Sequence, residues 1–143
     1  REFVEKQELK REDQVVYYGC PGTCTPFVEL LGFAVRSLEL EQVFVPYVEE
    51  SRARKITLVP DVGMQASGPA TIRDPAAVVV MGGLSMPNVP VTPGQVASAI
   101  GKYPAARKIG VCFMNMFEKT GWTKEIRFDL LIDATIDPVT VWK

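Results

Sequence analysis

Seven consecutive residues, Gly19-Cys20-Pro21-Gly22-Thr23-Cys24-Thr25, place two thiols, two glycines and two hydroxyls directly ahead of Pro26 and an apolar stripe at helical spacing. Thiols beside a helix start have chemical meaning, because the positive end of the helix dipole lowers their pKa and raises thiolate reactivity. Glycines in the same turn allow close backbone approach, and free N–H groups at the helix start suit an anion. The segment therefore offers two chemistries. One is an anion cradle; the other is a dithiol site for redox or soft-metal work through Cys20 and Cys24. Glycines that merely turn the chain are the plain competitor.

Several familiar mechanisms fail at single positions. A dinucleotide G-x-G-x-x-G fingerprint needs glycine at 21, where Pro21 stands, and no G-x-x-x-x-G-K-[ST] occurs. The spacing Cys20-x-x-x-Cys24 is not the C-x-x-C of thioredoxin-like enzymes. A cysteine-phosphatase loop would need arginine at position 26, and a three-cysteine radical cluster would need cysteine at 27; Pro26 and Phe27 stand there. The chain has no histidine, which excludes Ser-His-Asp and Cys-His catalysis and histidine-bound zinc. The third thiol, Cys112, lies between Val111 and Phe113 and reads as a small buried hydrophobe. A three-cysteine metal or cluster site with Cys20 and Cys24 is the sharper alternative.

A second segment, Gly82-Gly83-Leu84-Ser85-Met86-Pro87-Asn88, repeats the design of the first. An apolar strand runs into glycines, and a Thr-Pro helix start follows at Thr92-Pro93. Ser85 and Asn88 supply polar groups amid apolar ones, a mix that suits a small-molecule pocket. With no histidine to activate it, Ser85 is a hydrogen-bonding residue and not a nucleophile. The candidate ligand-binding residues are Gly19, Cys20, Gly22, Thr23, Cys24, Thr25, Gly82, Gly83, Ser85 and Asn88. Arg73, Asp61 and Asp74 border a long loop and either close over a ligand or are simply solvated.

The elements that must position these residues follow from local pattern. Val15–Tyr18 is β-branched and aromatic, a strand signal. Thr25 as N-cap and Pro26 at the first helical position open a largely buried helix through Leu38. Further strands are expected at 42–46 (which Pro46 either ends or places at an edge), 55–59, 76–81, 108–114, 128–133 and 139–142. The run Ala76–Met81 is uninterruptedly apolar, as a central parallel strand covered on both faces should be. A short helical turn fits Glu49–Arg54, and residues 60–75 read as a loop. Thr92 with Gln95 forms a capping box for a helix to Gly101, and Asn115 with Glu118 caps a brief one ending at Gly121. Alternating strands and helices predict a three-layer α/β sandwich with a mostly parallel five- to six-stranded sheet, Rossmann-like or flavodoxin-like. In such sheets ligands bind beyond the carboxyl ends of the strands at a topological switch point. Both glycine segments would meet there if their parent strands are parallel.

At 143 residues the chain fits one α/β domain over 1–143, with a charge-rich arm, flexible or helical, over 1–13. Sixteen basic residues balance seventeen acidic ones, so no nucleic-acid partner is expected. No apolar run reaches the roughly 18 residues of a membrane span, and Arg1–Lys6 has no signal-peptide core. A cytoplasmic location is the default expectation. An odd number of cysteines, three, argues against a disulfide framework. If Phe117 and Trp122 are exposed, they mark a subunit interface.

The stretches Tyr17–Phe27 and Val80-Met81-Gly82-Gly83-Leu84-Ser85-Met86-Pro87 together resemble an uncharacterised family of small methanogen (archaeal) proteins, a domain of unknown function. The resemblance implies a Rossmann-like fold in an archaeal cytoplasm. It implies no activity, cofactor or catalytic residue. The expected function is a module binding a small anionic or nucleotide-like ligand across residues 19–25 and 82–88. A thiol redox or metal-binding protein, and a homodimeric scaffold without catalysis, are the alternatives.

Overall fold

A computed structural model describes residues 9–137 and 140–142. All its strands join one mixed sheet of seven, in the order β4-β3-β2-β1-β5-β6-β7. The strands are β1 (Gln14–Gly19), β2 (Glu41–Pro46), β3 (Arg54–Val59), β4 (Gly63–Pro69), β5 (Ala77–Met81), β6 (Arg107–Phe113) and β7 (Leu130–Ala134). Helices α1 (Thr25–Ala34), α2 (Pro93–Gly101), α3 (Met116–Lys119) and α4 (Trp122–Glu125) connect them, with 3-10 turns at Arg36–Leu38, Glu50–Arg52 and Gly82–Ser85. The arm expected at the amino end lies mostly outside the described residues.

Five strands are parallel neighbours, in the spatial order β2-β1-β5-β6-β7. Counting parallel strands alone, this is the order 2-1-3-4-5, one of the orders common in open parallel sheets. The order reverses between β1 and β5, which pair directly from Val15–Ala77 to Tyr18–Val80. Both strands are buried along their whole length, as their continuous apolar runs require.

The seventh strand corrects the expected count. Residues 60–75 are not simply a loop, since Gly63–Pro69 returns as β4 antiparallel to β3, from Val59–Gly63 to Arg54–Pro69. Its glycines and proline hid it, but an edge strand pairs through one side of its backbone only and tolerates Pro69 there. The chain reverses over residues 60–62, with positive φ at Asp61 (62°) and Gly63 (114°). This hairpin leans on α1, where the Glu29 carboxylate accepts the Ala66 N–H at 3.3 Å.

Helix α1 is less buried than its composition predicts: only Val28 and Gly32 are fully enclosed, while Phe27, Leu30 and Phe33 are exposed. Its N-cap is Cys24 rather than Thr25, and no side chain caps it. At the other end its orphan carbonyls find partners outside the helix. Val35 N–H takes Leu31 O at 3.3 Å, Arg36 takes Phe33 O at 2.8 Å, and the buried Gln42 amide donates to Gly32 O at 3.1 Å. Helix α2 begins with the expected Thr92–Gln95 capping box. Asn115 adopts a left-handed conformation without capping α3; its N–H bonds the Asp133 carboxylate at 2.8 Å instead. The brief helix expected here is α3, and a second one, α4, follows Gly121 unexpected. No strand forms at residues 140–142, while Val139 of the expected last strand lies outside the described residues.

Candidate functional site

Strands β1 and β5 end side by side, so the turns that follow them are neighbours at the switch point. Cys24 N–H closes the first turn onto Cys20 O at 3.1 Å, and Gly22 supplies a left-handed residue at φ 81°. Both sulfurs point inward. Cys20 and Cys24 are 4% and 2% exposed, and their Sγ atoms lie 3.1 Å apart, within one S–H···S contact. They rest on the second turn, where a Cβ on Gly83 would fall 2.4 Å from the Cys24 sulfur and 2.8 Å from that of Cys20. Cys112 sits beyond Gly82, whose added Cβ would meet Cys112 Cβ at 2.5 Å. The glycines of the second turn are thus seats for three cysteines.

Burial pushes the Cys24 thiol up to about 12, the contact with Cys20 adds to this, and backbone N–H groups of Cys20 and Gly83 directed at the sulfur partly oppose it. Burial also raises Cys112, against the N–H groups of Phe117 and Met116 at its sulfur; its thiol donates to Asp133 at 3.2 Å. The helix start does not create the exposed, activated thiolate that the sequence allows for. Desolvation outweighs the dipole. Among the described residues no three His, Cys, Asp or Glu side chains converge as a metal site, which removes the three-cysteine alternative.

Two cavities flank the first turn. On the β5 side, one of about 130 Å³ is lined by Thr23, Cys24, Gly82, Gly83 and Met86 from the two turns, with Phe27, Met81, Val111, Phe113 and Met116 closing it. Apart from Thr23 its side chains are sulfur-bearing or hydrocarbon, unlike the anion cradle expected across residues 19–25 and 82–88. On the β2 side, a cleft of about 550 Å³ lies between the turn and the β3–β4 hairpin. Pro21 and Thr25 line it with Ser51, Arg52, Arg54 and Ala66. Arg52 pairs with Glu49 at 2.8 Å. Arg54 meets no carboxylate among the described residues, its guanidinium reaching only Ser67 O at 3.3 Å.

The candidate residues therefore divide. Thr23, Cys24, Gly82 and Gly83 face the small cavity and Thr25 the large one. Gly19 is a packing residue, its Cβ position 2.7 Å from Cys24 Cβ. Gly22 is exposed, and Ser85 is buried with its hydroxyl donating to Gly82 O at 2.8 Å. Asn88 is exposed and lines neither cavity. Arg73 lies at the opposite sheet edge: its N–H bonds the side chain of Gln14, which begins β1, and its guanidinium pairs with Glu41. Phe117 and Trp122 are buried and stack on each other at 5.5 Å, so they mark no interface. Glu50 accepts hydrogen bonds from Tyr18, Tyr103 and Lys102 at 3.0, 3.3 and 3.2 Å. Sequence reading passed over Ser51, Arg52 and Arg54, whose signal was a basic pair at the start of β3. It also passed over Met81 and Met86, which look like ordinary core in one dimension.

Strand order and crevice together define an α/β protein with a seven-stranded mixed sheet and a candidate ligand site where β1, β2 and β5 end. The chain belongs to DUF2124, the family described as uncharacterized proteins conserved in archaea, which matches residues 1–137. An uncharacterized protein of Methanocaldococcus jannaschii is 37% identical over 136 residues, covering 95% of this chain and 83% of that protein. Another, from Methanothermobacter thermautotrophicus, is 32% identical, covering 94% of this chain and 86% of its own length. A crystal structure of a protein of unknown function from Methanothermobacter thermautotrophicus aligns with a TM-score of 0.84 at 29% identity, over 99% of this chain and 90% of that one. Among the described residues no helix is long and apolar enough to cross a membrane.

Proposed function

We propose that the protein binds a small anionic molecule in the cleft between the turn at 20–25 and the β3–β4 hairpin. On this reading the chain is one α/β domain whose sheet is the middle of a three-layer sandwich. The observation that carries it is the lining: the first residue of an uncapped helix, Thr25, shares one cleft with Arg52 and Arg54. Pro26 has no N–H and no side chain caps the other donors of the helix start, which present the positive end of the dipole. A bidentate guanidinium adds directional charge for a carboxylate or phosphate. The cleft of about 550 Å³ is of a size that holds a small metabolite.

Thermal unfolding in the presence of inorganic phosphate, nucleoside monophosphates and dicarboxylates tests the proposal. A bound anion at 100 times its Kd stabilises the fold by about 2.7 kcal/mol, and Arg54→Ala removes the shift. An unchanged melting temperature with every anion, or a shift that survives in the Arg52→Ala/Arg54→Ala double variant, refutes it.

A further inference from the structure

The small cavity on the other side of the turn has a chemistry of its own. It is walled by the Cys24 sulfur and by Met81, Met86 and Met116, with the Cys20 sulfur 3.1 Å behind that of Cys24. Thiolates and thioethers are soft donors, and together they favour monovalent copper over the harder ions. We propose that Cys20 and Cys24 bind one Cu(I) ion as a dithiolate, with a methionine thioether of this cavity as a third, weaker donor.

The balance is simple. Two thiols release two protons to solvent, two sulfur–metal bonds form, and a monovalent ion with two thiolates leaves one net negative charge. No oxidant or reductant is involved. Burial, which disfavours a free thiolate, suits a metal-bound one, since a coordinating thiol is deprotonated by the ion itself. Metal–thiolate bonds of about 2.3 Å in a near-linear pair need sulfurs roughly 4.5 Å apart. The cavity of about 130 Å³ beside Cys24 gives that sulfur room to move. Gly83 has no Cβ to compete for the space. Zinc fits poorly, because its structural sites take four nitrogen or thiolate donors and no three such side chains converge here among the described residues.

The test uses the full, reduced chain without oxygen, competing for Cu(I) against the colorimetric chelator bicinchoninate. One equivalent of Cu(I) should pass to the protein, with an ultraviolet thiolate-to-copper absorption, and Zn(II) should not displace it. Cys20→Ser and Cys24→Ser should each abolish the transfer, and Met86→Leu, at an exposed position, should weaken it about tenfold. Arg54→Ala should leave it unchanged, which separates this site from the anion cleft. Should a serine variant not fold, alkylation of the wild type in mild denaturant decides: Cu(I) should protect Cys20 and Cys24 and leave Cys112 to react. No withdrawal of copper from the chelator, transfer that persists without both thiols, or protection of Cys112 instead of the pair would overturn the proposal.

Discussion

Gly83 shows how a single hydrogen in place of a methyl group organises the site. Nothing local demands glycine there, since its φ is not in the left-handed region. What demands it is the pair of sulfurs seated on its Cα. Gly82 is held more rigidly still, because its Cβ position lies 2.8 Å from the Cys112 Cα as well as 2.5 Å from its Cβ. A side-chain sulfur can rotate away, whereas a backbone atom moves only with its strand. Gly83→Ala should therefore destabilise by on the order of 1 kcal/mol and Gly82→Ala by about 3 kcal/mol, the range of overpacking in a dense core. Urea denaturation of both variants checks the order; equal losses would mean that the sulfurs are as fixed as the β6 backbone. Cys20→Ala combined with Gly83→Ala should recover part of the loss, since the two changes share one volume.

Among the elements, α1 is the one most dependent on its neighbours. It has no side-chain cap at its start and few buried side chains, so packing alone holds it weakly. One buried residue links it to the sheet. Gln42 on β2 accepts the Tyr17 hydroxyl of β1 at 2.9 Å and donates to the orphan Gly32 carbonyl at 3.1 Å. Gly32 is glycine for the same contact, its Cβ position being 2.6 Å from the Gln42 amide oxygen. Gln42→Ala leaves the Tyr17 hydroxyl and a helix carbonyl without these partners and should cost about 2–3 kcal/mol. Chemical denaturation measures the total. Amide exchange should place the added opening in α1 rather than in β5, and uniform exchange would show that Gln42 does not act through the helix.

For the molecule as a whole, stability should fall in alkali for a reason visible in the core. Burial raises the pKa of Tyr17 and, with Glu50 beside it, of Tyr18 above the ordinary 10.0. It raises Cys24 from 9.0 to about 12. Groups whose folded pKa exceeds the unfolded value bind more protons when folded. Their contribution is complete below the unfolded values and is lost as pH rises toward the folded ones. Unfolding free energy should thus be flat from pH 7 to about 8 and decline above about 9, the onset belonging to Cys24 together with Cys112, which burial also raises, and the steeper part to the tyrosines. Denaturation midpoints at pH 7, 9 and 10.5 measure it, and Cys24→Ala should make the first segment shallower, leaving the part that Cys112 contributes. A midpoint that rises with pH would contradict the neutral core.

The amino-acid sequence by itself determined the alternation of strands and helices, the central place of Ala77–Met81 and the capping box at Thr92. These rest on local periodicity and on side chains bonding their own backbone. It also marked the two glycine turns, because strands that are parallel neighbours must end at the same sheet edge. Tertiary structure alone decided that β4 exists, since an edge strand is made by its partner and not by its composition. It decided, too, that the turn at 19–25 faces two unlike cavities. Arg52 and Arg54 reach the turn only because the β3–β4 hairpin folds back beside α1, and the methionines gather only where β1, β5 and β6 end together. Desolvation turned the two thiols from exposed nucleophiles into a buried pair. Burial depends on every element around a residue, so a one-dimensional spacing of cysteines could not contain it.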